Sequence, residues 1–142
     1  MRQLLRVAAE YGVSVHFAHL DEDLGCFVPD EQRVYLDLRL TPAQRRSVLA
    51  HELGHVHYGH HADSPLAERQ ADIYAARLLI DPAEYARLER INPDQHHIAD
   101  ELGVTIDVIY TFETNCLTRL RGVTYVHPRM GAAQWAYRAV PV

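Results

Sequence analysis

The sequence predicts an α+β fold, with a small antiparallel N-terminal sheet packed on a helical core and further helices towards the C-terminus. Val13-Ser14-Val15-His16-Phe17 alternates apolar and polar residues, as a half-buried strand does, and the β-prone runs 25–28 and 33–36 follow it. From Thr41 onward the apolar spacing turns helical and helix-start signals recur. With 142 residues, 48% hydrophobic and 23% charged, the chain has the size and balance of one globular domain with a real core.

Residues 2–11 read as a short helix, with Leu4, Leu5, Ala8 and Tyr11 at helical spacing. Strands at 13–17, 25–28 and 33–36 come next, the last two joined by a turn at Pro29-Asp30-Glu31-Gln32. Thr41-Pro42-Ala43-Gln44 supplies a capping threonine, a proline in the first turn and the glutamine that closes a capping box. Ser64-Pro65 repeats the cap and proline, and Asp81-Pro82-Ala83-Glu84 predicts a second full box. These signals predict helices over 42–60, 65–80 and 82–91, then a pair over 94–102 and 105–118 split by Gly103. Val123-Thr124-Tyr125-Val126 is strand-like.

A net charge of −5 argues against a general binder of nucleic acid or anionic membranes. The N-terminus lacks the apolar core of a signal peptide, and no apolar run approaches the ~18 residues of a membrane span, so the expected location is the cytoplasm. Cys26 and Cys116 lie far apart, form no CxxC, and read as small buried residues. Histidine is the outlier, with ten copies.

His51 and His55 stand four apart on a predicted helix, so both imidazoles leave one face and reach a common metal ion at the ~2.0–2.1 Å of zinc–histidine bonds. Glu52 points to the edge of that face, badly aligned as a ligand but well placed for a general base. Together these residues are the H-E-x-x-H pattern of two ligands and one base. Gly54, inside a strong helix, costs roughly 1 kcal/mol relative to alanine and so calls for a close-packing or functional reason. A catalytic zinc needs a third protein ligand. The next helix offers Glu68, and one turn on Asp72 is placed to accept the remaining N–H of a ligand histidine. His57, His60 and His61, at the helix end and in the following loop, read as solvated side chains.

His51-Glu52-Leu53-Gly54-His55, followed by Glu68-Arg69-Gln70-Ala71-Asp72-Ile73-Tyr74-Ala75-Ala76-Arg77-Leu78-Leu79-Ile80-Asp81-Pro82, resembles the ImmA/IrrE metallopeptidase family. That family joins HELGH to a downstream E-x-x-A-[DN]-x-[FY]-A-x-x-L-L-x-P; here Ile80-Asp81-Pro82 replaces the commoner Met-Pro, away from the ligands. The resemblance covers about 41–82 and implies a gluzincin-like site with His51, His55 and Glu68 on Zn2+, Glu52 as general base and Asp72 behind a ligand histidine. It also implies intracellular cleavage of a regulatory protein, typically a repressor of phage, mobile-element or stress genes. The expected reaction is amide hydrolysis by metal-activated water. Tyr58, Tyr74, Tyr125 and His127 are candidate donors to the oxyanion, with His127 preferred. One metallopeptidase domain is expected over 1–142, comprising helix and sheet (1–40), zinc-site helices (41–91), and a helical pair with a tail (92–142).

Residues 95–114 have helix-turn-helix spacing, with Ala99, Gly103 and Ile109 at the small, turn and anchor positions. The second helix carries Asp107 and Glu113 and no arginine before Arg119, which suits packing rather than phosphate contact. The expected partner is therefore a protein, a transcriptional repressor, with no direct nucleic-acid contact and no membrane. The alternative is a zinc-binding anti-repressor that acts by binding with little or no cleavage.

Overall fold

Side-chain caps set where several of the helices begin. The computed structural model describes residues 1–117 and the backbone of 123–124 and 140–141. The elements are α1 (Arg2–Glu10), β1 (Ser14–Ala18), β2 (Gly25–Val28), β3 (Arg33–Asp37), α2 (Pro42–Tyr58), α3 (Pro65–Leu79), α4 (Pro82–Ile91), α5 (Gln95–Leu102) and α6 (Ile106–Thr111). Two short strands, β4 (Val123–Thr124) and β5 (Val140–Pro141), pair antiparallel. The class is α+β, as the sequence predicts.

The capping box of α2 is complete: Gln44 N–H donates to Thr41 Oγ1 at 3.2 Å and Thr41 N–H to Gln44 Oε1 at 2.9 Å. Ser64 Oγ accepts from Ala67 N–H at 3.0 Å to start α3. Asp81 caps α4 by accepting from Ala83 N–H, but Glu84 turns to Arg87 instead of closing the expected second box. The predicted helix over 105–118 divides, α6 giving way to a π-helical turn at Phe112–Leu117. Thr114 Oγ1 donates to Tyr110 O and Asn115 Nδ2 to Thr111 O, so side chains compete for carbonyls of the helical ladder.

The sheet corrects the expectation of an all-antiparallel arrangement. Its order is β1-β3-β2, with β2 antiparallel to β3 and β1 parallel to it, in register from Ser14↔Arg33 to Ala18↔Asp37. β3 takes the centre as the best covered strand, Val34 and Leu36 being fully buried. The connection from β1 must then pass the end of β3 before β2 begins. Asp37 holds that crossing, its carboxylate accepting from Leu20 N–H at 2.9 Å, Arg39 N–H at 2.8 Å and Arg39 Nε at 2.8 Å, while Arg39 Nη2 donates to Leu20 O at 2.7 Å. These bonds pull the Asp37 carboxyl well below the usual carboxylate range.

Two apolar clusters form the core. One gathers Leu4 and Ala8 of α1, Val34 and Leu36 of β3, and Leu49 and Leu53 of α2. The other gathers Tyr85 and Leu88 of α4, Ile98 of α5, Ile109 of α6 and Phe112 of the π turn, including the buried Cys116. Each large side chain so covered contributes roughly 1.5–3 kcal/mol relative to exposure. α3 is their shared wall: Ala75 belongs to the first cluster, Ala76 to the second, and Leu79 packs against both. The face of α3 towards α2 is a buried stripe of Ala67, Ala71 and Ala75, and Gly54 lies against Ala71. A Cβ on Gly54 would fall 2.8 Å from Ala71 Cα and 3.0 Å from Ala71 O, which explains the glycine inside α2.

The helix-turn-helix-like segment is packed, with Ile98, Ala99, Val104, Val108 and Ile109 buried. Arg46 of α2 donates to Leu102 O at 2.8 Å and Gly103 O at 2.7 Å, tying the turn between α5 and α6 to the zone behind the central helices. Glu113 accepts from Tyr85 Oη and Gln95 Nε2, so this acidic residue is engaged with the domain itself.

Candidate metal centre

α2 and α3 bring His51, His55 and Glu68 together. His51 Nε2 and His55 Nε2 are 3.1 Å apart, and the two oxygens of Glu68 lie 3.2 Å from His51 Nε2 and 2.9 Å from His55 Nε2. The alanine stripe and Gly54 permit the close approach, and the Ser64 cap fixes where α3 begins, four residues before Glu68. Asp72, one turn further along α3, meets His51 from behind, with Oδ1 accepting from Nδ1 at 2.8 Å.

The donor set fits a metal ion. With Nδ1 of His51 committed to Asp72, the lone pair of Nε2 points inward, at another imidazole nitrogen and a carboxylate. A single proton relieves one of these contacts at a time, whereas a cation relieves all three. Tetrahedral bonds of ~2.0–2.1 Å place neighbouring ligand atoms roughly 3.3 Å apart, close to the separations found here. His51, Glu52 and His55 each offer a ligand atom within 4.8 Å of the others, and His55, Asp63 and Glu68 form an overlapping group.

Glu52 is only 8% exposed and His55 7%. Burial pushes the Glu52 carboxyl from 4.5 up to about 7, helped by the carboxylates of Glu68 and Asp63 and opposed by His51 and a hydrogen bond from the Phe27 backbone. For His51, burial disfavours the charge, yet the Asp72 hydrogen bond and the carboxylates of Glu52, Asp72 and Glu68 outweigh it and raise the pKa above 6.5. His55 goes the other way, lowered by burial and then by the neighbouring His51. A buried carboxyl that titrates near neutrality beside convergent nitrogens suits proton transfer.

Not every residue singled out in the sequence reaches this cluster. Tyr74 Oη bonds to Tyr11 Oη at 3.1 Å, and Tyr58 stacks on His60. Tyr125 and His127 lie outside the described residues. The reading of His60 as merely solvated does not hold, while His57 is exposed as expected. His57 Nδ1 pairs with Tyr11 Oη at 2.8 Å, and His60 sits between His55 and Gln70. Sequence spacing carries no signal for His60 or Gln70, because their meeting depends on how the chain turns after α2. Asp63, in the same loop, was also missed; only its place between the two motifs could have drawn attention to it.

An H-E-x-x-H helix faced by a glutamate on the next helix is the arrangement of a peptidase-type domain. The chain matches the family described as IrrE N-terminal-like domain, Peptidase_M78, over residues 5–111, and it belongs to that family. No curated protein matches the sequence. Among solved structures, a Mycobacterium tuberculosis transcriptional regulator is similar with a TM-score of 0.64 at 20% identity, a likeness of fold that covers 86% of this chain. The aligned region is 43% of the regulator, so this chain spans less than half of that protein's length. No helix among the described residues is long and apolar enough to cross a membrane.

Proposed function

We propose that the protein is a zinc-dependent endopeptidase that cleaves a specific regulatory protein, a transcriptional repressor. The convergence of His51 Nε2, His55 Nε2 and both Glu68 oxygens, with buried Glu52 alongside, carries the reading. Family membership supports peptidase chemistry, and the fold shared with a transcriptional regulator supports a place in gene control.

In this reading His51, His55 and Glu68 would hold the metal, which would supply Lewis-acid chemistry for a bound water and the scissile carbonyl. Glu52 takes a proton from the attacking water and returns it to the leaving amine, a task matched to a carboxyl that titrates near 7. The Phe27 backbone hydrogen bond orients Glu52 from β2. Asp72 fixes His51 with its proton on Nδ1, keeping Nε2 free to bind. His127 is the proposed donor to the oxyanion.

The test is incubation with the repressor encoded beside its gene, with zinc, with a chelator, and with Glu52→Gln. Zinc-dependent fragments from the wild type alone are expected. Release of the repressor from its operator without fragments would replace the peptidase with a zinc-binding anti-repressor.

A further inference from the structure

We infer that His60 is a positioning residue for His55, joining its Nδ1 to Gln70 through a neutral hydrogen-bond relay. The inference rests on the metal-site reading above and extends it to His60, between the two motifs, and to Gln70, an unspecified position within the second. His55 Nδ1 and His60 Nδ1 are 2.9 Å apart, and His60 Nε2 is 2.9 Å from Gln70 Oε1. An amide oxygen only accepts, so the His60 proton resides on Nε2. Neutral His60 then presents a lone pair at Nδ1, and the proton between the two rings belongs to His55. That proton leaves His55 Nε2 with its lone pair directed at Glu68 and His51, the form a metal ligand needs.

The turn after α2 makes the relay. On a continuing helix, position 60 would lie about 140° round from position 55 and face another way. Gly59 instead adopts φ +67° and ψ +34°, and His60 N–H donates back to His55 O at 3.0 Å. The ring of His60 thus returns to the ring of the residue that its backbone also holds. Tyr58 stacks on it, with centroids 5.5 Å apart and planes 11° apart, which fixes the plane of the imidazole. The two histidines are therefore oriented by different chemistry: Asp72 offers His51 a charged acceptor, and His60 offers His55 a neutral one. A neutral acceptor orients His55 without adding another carboxylate to a site that already gathers Glu52, Asp63, Glu68 and Asp72.

The full-length chain tests this with zinc affinity by chelator competition and with ¹⁵N imidazole NMR of His55. His60→Ala removes the acceptor, and a 10- to 100-fold loss of zinc affinity is expected, together with loss of the protected His55 Nδ1 proton. His60→Asn places Oδ1 the same number of bonds from the backbone as Nδ1 and is expected to restore affinity to within a few-fold and the protected proton with it. Gln70→Leu is expected to weaken binding in the same direction but less. Wild-type affinity in His60→Ala, or an asparagine variant no better than alanine, overturns the relay while leaving the metal site standing. A wild type that binds no zinc overturns both.

Discussion

Replacing Gly54 with alanine sets two effects of known sign against each other. Helix propensity alone predicts that Gly54→Ala stabilises α2 by about 1 kcal/mol. The packing predicts the reverse, because the new methyl group would sit 2.8 Å from Ala71 Cα, 3.0 Å from Ala71 O and 3.2 Å from Ala71 Cβ. Two of those atoms are backbone, so no rotamer change relieves the clash and α3 must move away by several tenths of an ångström. Overpacking of this kind costs roughly 1–3 kcal/mol, so a net destabilisation of about 1 kcal/mol is expected once the propensity gain is subtracted. The same movement draws Glu68 away from His51 and His55 and should weaken zinc binding at least tenfold. Ala71→Gly in the same chain removes only the methyl at 3.2 Å and leaves the backbone contacts, so it should not restore either property. Urea unfolding of the metal-free protein and chelator competition of the loaded protein read the two effects separately. A variant that is more stable than wild type by about the propensity value, with unchanged zinc affinity, would refute the view that Gly54 sets the spacing of α2 and α3.

Glu52→Gln should abolish hydrolysis yet stabilise the metal-free fold above neutrality. A carboxyl raised from 4.5 to about 7 gives stability that is complete below its unfolded value and lost as pH rises through the folded one, a difference of up to roughly 3 kcal/mol. Wild type and variant should accordingly match near pH 4 and diverge by pH 8 in urea melts. Zinc uptake near pH 7 should release protons, since His51 and Glu52 both hold protons more tightly than usual before the metal arrives; calorimetry in buffers of different ionisation enthalpy measures this. Asp37→Asn should lower stability at neutral pH and narrow its gap to wild type in acid. A depressed carboxyl stabilises the fold above its unfolded pKa, and that contribution fades as pH falls towards the folded value.

Signals that act over three or four residues are legible in the sequence itself. Thr41, Ser64 and Asp81 each cap a helix where the local pattern places it. Competition blurred the same kind of signal at Glu84, which Arg87 claims, and at Thr114 and Asn115, which disturb the last helix. The direction of β1 was not legible, because it depends on β3 taking the centre of the sheet and on the Asp37–Arg39–Leu20 contacts that carry the chain past it. His51, Glu52 and His55 share one helix, so their proximity follows from numbering alone. The approach of Glu68 and Asp72 follows only if α3 returns along α2, which the short intervening loop allows. His60 and Gln70 meet through a single left-handed residue, Gly59, and no periodicity announces such a meeting.

Because α3 borders both apolar clusters, the two halves of the domain are not free to loosen independently. Its N-terminal turns carry Glu68 and Asp72, and its last turns hold Ala75, Ala76 and Leu79 in the two cores. A cation gripped between α2 and α3, as proposed, would therefore act as a clamp on cooperativity, and zinc at about a hundred times its dissociation constant would add ~2.7 kcal/mol to the native state. That gain should spread as slowed amide hydrogen exchange through the sheet and through α4–α6 alike, not in the ligand helices alone. Stripping the metal would then leave a domain in which opening at one end is felt at the other.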